Sequence, residues 1–397
     1  MRQTQRPGIA LWMTLIATGY STPALLPQSL QQPDPWQAAQ SLEHEGRVPE
    51  AEAAWTALSK AHPSNPEPLA HLGLLEARQE HYIKAVALYR RALALNPTMP
   101  GLRLNLGLAL FKNGEYKEAI RIFDPLLKAQ PSSSSESDRL TILIGMSHYG
   151  MGEYAQAVPY LKEAASRDTQ NLPLRLTLAH SCLLSKHYQC VLDAYHEMVA
   201  LNADSAEADM LVGEALDEMK DSSGAILEFR AAVKANPKEP NAHFGLGYLL
   251  WTLKQYPEAA QQFQSELDND PEHVQAMFYL ADTQIQLEQM QSAEPLLTSA
   301  LKLNPANSMG HLDLGIVYSE TDRKDAALHE LRIATKLAPT DVTAHYRLAQ
   351  LCRTMGKTEE AKVEFDKAKN INKATNAALL KVMSEAHGNK KAAYHDQ

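Results

Sequence analysis

Four side chains with metal-binding chemistry, His180, Cys182, His187 and Cys190, fall within eleven residues of one another. Imidazole nitrogens and thiolates are the usual donors to zinc, so this cluster is the first place to look for a metal site. The same two thiols could also form a disulfide, or could be small apolar groups in a core. Other fragments of reactive motifs stop short. Gly356-Lys357-Thr358 ends like a phosphate-binding loop, but the glycine needed five places earlier is Leu351. His329-Glu330 opens like a zinc-protease helix, and the position of the second histidine is Ile333. Gly245-x-Gly247 lacks a third glycine, and no Gly-x-Ser-x-Gly elbow occurs. The chain therefore reads as non-enzymatic unless its elements bring the histidine and cysteine cluster together.

Composition narrows the classes further. With 38 basic and 47 acidic residues the formal charge is -9, which disfavours a broad attraction to nucleic acid. Three cysteines in 397 residues cannot staple a scaffold, so apolar packing must hold the fold. Arg2 and Arg6 precede an apolar stretch from Ile9 to Ala17, and Thr22 and Ala24 stand where a signal peptidase would cut. Residues 1–24 read as a signal peptide of bacterial type and 25–31 as a linker, which places the mature chain in the periplasm or outside the cell. The alternative is anchoring by an uncleaved amino-terminal segment. No membrane span is expected after signal removal.

The elements that must position these groups come from a repeat. At a 34-residue period the chain divides into units 32–65, 66–99, 100–133, 138–171, 172–205, 206–239, 240–273, 274–307, 308–341 and 342–375. The one insertion falls in the serine-rich stretch 132–137, read as a flexible tract. Place eight of the unit is always small: Ala39, Gly73, Gly107, Gly145, Ala179, Gly213, Gly247, Ala281, Gly315, Ala349. Place twenty is alanine in every unit except for Val191. Two helices joined by a short turn approach to about 8 Å only where the crossing side chains are small, so places eight and twenty are expected at that crossing. Place twenty-four carries large apolar groups such as Trp55, Tyr89, Phe123, Phe229 and Phe263, and proline closes seven of the ten units at place thirty-two.

Leu72-Gly73, Ala85, Tyr89, Ala92 and Pro97 together resemble the tetratricopeptide repeat, and the resemblance extends over residues 32–375. It implies an all-α fold, a right-handed α-solenoid of antiparallel helix pairs in which the first helix of each pair lines a concave groove. Stacking neighbours stabilise such an array, and its ends need caps. Residues 376–387 are expected to form a capping helix and 388–397 a disordered tail. Units four, five and ten have Thr169, Ala203 and Lys373 in place of the closing proline, which leaves the turn there open.

The repeat register bears on the cluster. His180, at place nine, faces the groove; Cys182, at place eleven, points into the helix pair; His187 and Cys190 fall on the following helix. That arrangement disfavours a shared ion, and no metal or other cofactor is expected. Buried free cysteines are preferred to a Cys182–Cys190 disulfide across the hairpin, and Cys352 reads as core. Places nine and twelve lie on one helix face and give the groove its chemistry. Apolar and aromatic groups dominate it: Leu108, Phe111, Met146, Tyr149, His180, Leu183, Tyr248, Trp251 and Ile285, with Glu214 and Asp217 as an acidic interruption. Part of this stripe serves packing between units, and the rest is uncommitted surface of the kind that marks contacts. The lysine, arginine and asparagine clamp with which some relatives hold a terminal carboxylate is missing from places two and six. The chain is therefore expected to be a scaffold that binds a protein or peptide segment in its groove. The alternative is a periplasmic assembly or structural subunit that meets its partners by the convex face or the edges.

Overall fold

The computed structural model describes residues 34–131, 134–201 and 205–393. The expected signal sequence and linker lie outside these residues, as do positions 132 and 133 of the serine insertion and the last four residues of the chain. The chain divides into two compact units, residues up to 203 and residues from 204. The first holds α1 (Pro35–His44), α2 (Val48–Ala61), α3 (Glu67–Arg78), α4 (Tyr82–Leu95), α5 (Leu102–Lys112), α6 (Tyr116–Ala129), α7 (Ser135–Gly150), α8 (Tyr154–Arg167), α9 (Leu172–Leu184) and α10 (Tyr188–Val199). The second holds α11 (Ala206–Glu218), α12 (Ser222–Ala235), α13 (Ala242–Thr252), α14 (Tyr256–Asn269), α15 (Val274–Gln286), α16 (Met290–Leu303), α17 (Ser308–Glu320), α18 (Lys324–Leu337), α19 (Val342–Thr354) and α20 (Thr358–Ala393). Within each unit every helix packs on the next, and odd-numbered helices also meet across repeats, α13 on α15 and α15 on α17 among them. Each unit is thus an α-solenoid of antiparallel pairs.

The close approach inside a pair has one more member than the sequence expectation named, for Gly213 at place eight does come against the Ala225 backbone at place twenty. Place twenty is buried, with Ala51, Ala85, Ala119 and Ala259 all fully covered. Yet the group that the small residue at place eight accommodates is the side chain at place twenty-four. A methyl added at Gly107 would stand 2.5 Å from the Phe123 ring, and one at Gly73 would stand 2.7 Å from the Tyr89 ring. The same geometry joins Gly247 to Phe263 and Gly315 to Leu331. The ring lies where a Cβ would be, so the backbone of the first helix is itself one wall of the core.

Each pair turns through one residue in the left-handed region, always at place fifteen. Glycine takes it at Gly46, Gly114, Gly152 and Gly356, but Glu80, Lys186, Lys220, Lys254, Glu288 and Asp322 do so with φ between 60° and 67°. The next amide then closes a bond to the carbonyl five residues back, as from Gln255 to Leu250 at 2.8 Å, which satisfies the end of the first helix. The last residue of a unit often caps the following helix. Asn171, Asn307 and Asp341 accept from Leu174, Gly310 and Ala344 amides.

Two expectations at irregular places differ from what is found. Ser134 caps α7 through the Ser137 amide, so Ser135, Glu136 and Ser137 are its first turn and not part of a loose tract. At the carboxyl end there is no separate capping helix over 376–387 and no disordered start to the tail at 388. The second helix of the tenth pair instead continues through Lys373 as α20 for 36 residues, to Ala393, whereas α8 ends at Arg167 although its unit also lacks the closing proline.

Gly107→Ala should therefore cost about 1–3 kcal/mol, read as a lower unfolding midpoint, because the Phe123 ring must leave its site. Lys254→Gly should act in the opposite sense, gaining about 0.5–1 kcal/mol by relieving a left-handed lysine, and equal midpoints for parent and variant would refute that account.

Candidate binding groove

Because places eight and twenty-four hold the pair together, the opposite side of each odd-numbered helix is left facing away from its partner. In the first unit this side carries Phe111, Met146, Tyr149 and His180, all half-buried. The Tyr149 hydroxyl and His180 Nδ1 are 2.7 Å apart, and Tyr154 packs edge-on to both rings. Burial holds the His180 imidazole below its usual range, so the neutral ring is favoured there. Leu108 and Leu183 are each only 8% exposed and serve the packing between helices more than the free surface.

The four metal-binding side chains do not converge. His180 bonds Tyr149; His187 stands at the N-cap position of α10, just before the helix, with its Nδ1 2.9 Å from Ser185 Oγ and no side-chain bond to the helix amides. Cys182 and Cys190 are joined in a disulfide with Cα atoms 5.8 Å apart, so the preferred reading of two free thiols does not hold. Cys182, fully buried at place eleven, faces α10, and Cys190 stands in the first turn of that helix. Cys352 is a free, buried cysteine, as expected of a core residue. Among the described residues no group of three or more histidine, cysteine, aspartate or glutamate side chains is placed to hold a metal ion.

In the second unit the exposed side of the odd-numbered helices is aromatic and acidic. Tyr248, Trp251 and Tyr279 form one cluster with centroid separations of 6.2, 5.5 and 5.2 Å, and Phe244 adds a fourth ring against Tyr248 and Tyr279. The start of α13, which carries Phe244, Tyr248 and Trp251, is held in place because Glu266, buried on α14, accepts the backbone amides of Asn241 and Phe244 at 3.0 and 3.1 Å. The Trp251 indole donates to Asp282 Oδ2 at 2.5 Å. Asp282 is raised above its ordinary range by burial, although the indole and Gln286 oppose that shift. Glu214 stands on α11, reachable by solvent but ringed by protein, and the partial burial raises its carboxyl also. Asp217 is half-buried beside it, whereas Ile285 is 8% exposed and belongs mostly to the core.

Three groove contacts join residues 31 apart in neighbouring repeats: place twelve meets place nine of the next repeat in Tyr149 with His180 and in Trp251 with Asp282, and place nine meets its place six in Tyr248 with Tyr279. Place six was read only for a carboxylate clamp, so Tyr279 escaped notice as a groove residue. Extending that column to the later repeats exposes it.

The family models agree with this architecture. Models described as "Tetratricopeptide repeat" match residues 76–140, residues 37–100, 213–273 and 244–308, and residues 139–171 and 342–375. Similar curated proteins include a cell division cycle protein 27 homolog of Caenorhabditis elegans, 27% identical over 45% of this chain and 22% of its own length. The TPR repeat-containing thioredoxin TTL4 of Arabidopsis thaliana is 26% identical over 46% of this chain and 28% of its own. The matched region thus spans less than a third of the length of these relatives. Among solved structures, YrrB, a TPR protein with an unusual peptide-binding site, is 22% identical with a TM-score of 0.41, over 48% of this chain and 98% of its own. The APC/C hetero-tetramer Cut9-Hcn1 gives 17% identity and a TM-score of 0.46, over 78% of this chain and 60% of its own. The stretches matched by the repeat models make up more than half of the residues, and with the register of small and aromatic places they establish that the chain belongs to the tetratricopeptide repeat family.

Proposed function

We propose that the chain is a non-enzymatic scaffold that holds a peptide or protein segment along the concave side of its first helices. The observation that carries this reading is the run of half-buried aromatic and sulfur-bearing side chains there, Phe111, Met146 and Tyr149 in one unit and Tyr248 and Trp251 in the other. None of them occupies the place-eight or place-twenty-four contact that closes a helix pair. Large rings with part of their surface open to solvent supply contact area at low entropic cost, which is what a binding surface needs. The second reading places the contact on the convex side, where Ile83 and Leu227 stand 73% and 65% exposed.

A photoreactive side chain distinguishes the two. Placed at residue 146 or 248 in the native host it should capture a partner that the same group at residue 83 or 227 does not; capture from the convex positions alone would transfer the function to that face.

We further propose that the chain works in an oxidising compartment outside the cytoplasm. The amino-terminal pattern of Arg2, Arg6 and the apolar stretch supports this, and so does the Cys182–Cys190 pairing, because such bonds persist where thiols are not kept reduced. Protein isolated from its host without reductant, unfolded and alkylated should then react at Cys352 only. Modification of all three cysteines would set the assignment aside.

A further inference from the structure

The fifth helix pair, α9 with α10, lacks much of what closes the others. At place twenty-four, eight pairs bury a large apolar side chain, from Trp55 and Tyr89 to Leu297 and Leu331. Tyr195 holds that place on α10 and is only half-buried. Phe365 in the tenth pair is half-buried too, but there the Tyr346 ring and the Arg353 guanidinium lie against it. Place twenty of the fifth pair is Val191, where every other unit has alanine. Its second helix is also short, 12 residues against 14 in α8, α12 and α14.

The disulfide stands in this pair. Cys182 at place eleven is fully buried, whereas Cys190 at place nineteen is half-buried in the first turn of α10. Packing does not ask for the bond. Cys352 holds the same place eleven in the tenth pair as a buried free thiol, and place nineteen there is Glu360. Elsewhere place nineteen carries Glu50, Glu118, Glu258 and Ser292, none of them buried. Cys190 is thus a sulfur at the solvent edge of the pair, joined to one in its core. An incoming thiolate reaches Cys190 and not Cys182. When the bond opens, Cys190 is left in the first turn of α10, whose unpaired backbone amides favour a thiolate, and the N-cap His187 gives those amides no side-chain bond.

We propose that Cys182–Cys190 is a thiol–disulfide exchange site, opened through Cys190 by a protein dithiol, and that its state sets how firmly α9 is held to α10. One thiolate of the dithiol attacks Cys190 Sγ; the bond to Cys182 breaks, and its electron pair leaves on Cys182 Sγ, which takes a proton from water. The second thiolate of the dithiol then attacks its own sulfur in the mixed disulfide, closing a disulfide there and releasing Cys190 as a thiolate. Two electrons pass from the dithiol to the two cysteines of this chain. With the bond open, α10 is held through Val191, Ala194 and Met198, and α9, which carries His180 toward the groove, loses its covalent tie.

The test uses the purified full chain without denaturant. Oxidised glutathione should add to Cys190 in Cys182→Ala and leave Cys182 unmodified in Cys190→Ala, read by peptide mapping with mass spectrometry. Dithiothreitol should reduce the bond in the folded parent chain, and amide hydrogen exchange should then speed up about tenfold in α9 and α10 while α13 to α16 keep their protection. Cys190→Ala should show that faster exchange with no reductant added, since the remaining Cys182 is then a buried free thiol like Cys352. Glutathione adding to Cys182 as fast as to Cys190, a bond that opens only in denaturant, or exchange in α9 and α10 unmoved by reduction would each overturn the proposal. The alkylation pattern of protein taken from its host is a separate measurement, and its failure would remove the oxidising compartment without touching the exchange site.

Discussion

In six of the helix pairs a ring or branched side chain from the second helix lies directly on a glycine of the first. That contact fixes the separation of the two backbones, and through it which face of the first helix is consumed. Gly107 under Phe123 and Gly247 under Phe263 show the arrangement at its closest, with no room for a methyl group. The buried alanines at place twenty and the leucines at place seven fill space around it. Once this wall is committed, the left-handed turn at place fifteen and the capping residue at place thirty-four need only return the chain to the same starting point.

The groove is what this constraint leaves over. On α13 the residues that face the partner helix are Leu246, Gly247 and Leu250, all buried. Tyr248 and Trp251 have nothing to meet on that side and turn to the next repeat, where Tyr279 and Asp282 receive them. Chemistry in the concave face therefore varies freely from repeat to repeat: a tyrosine and a histidine in one unit, an indole and two carboxyls in the other.

The fold was almost wholly legible because small residues at a fixed spacing have a geometric cause that no neighbour overrides. The pairing of Cys182 with Cys190 was less so, since helix direction places the thiols near each other but sequence spacing does not orient them. The left-handed residues were illegible: Lys254 and Glu288 carry no glycine signature, and only the closing hydrogen bond reveals what they do. The run of α20 through 376–387 was not legible either, for Lys373 removes the proline stop but so does Thr169, and α8 ends at Arg167 all the same. In the groove, Tyr248 and Trp251 could be placed by period alone.

The left-handed turns are unevenly shared. Three of the five in the first unit are glycine, and in the second unit only Gly356 is, with Lys220, Lys254, Glu288 and Asp322 bearing the rest. A glycine takes such a φ at no steric cost, whereas each of these four residues carries a Cβ into it. The turns of the second unit therefore work against the backbone's own preference, and the packing of the helices on either side of each turn is what must hold it closed.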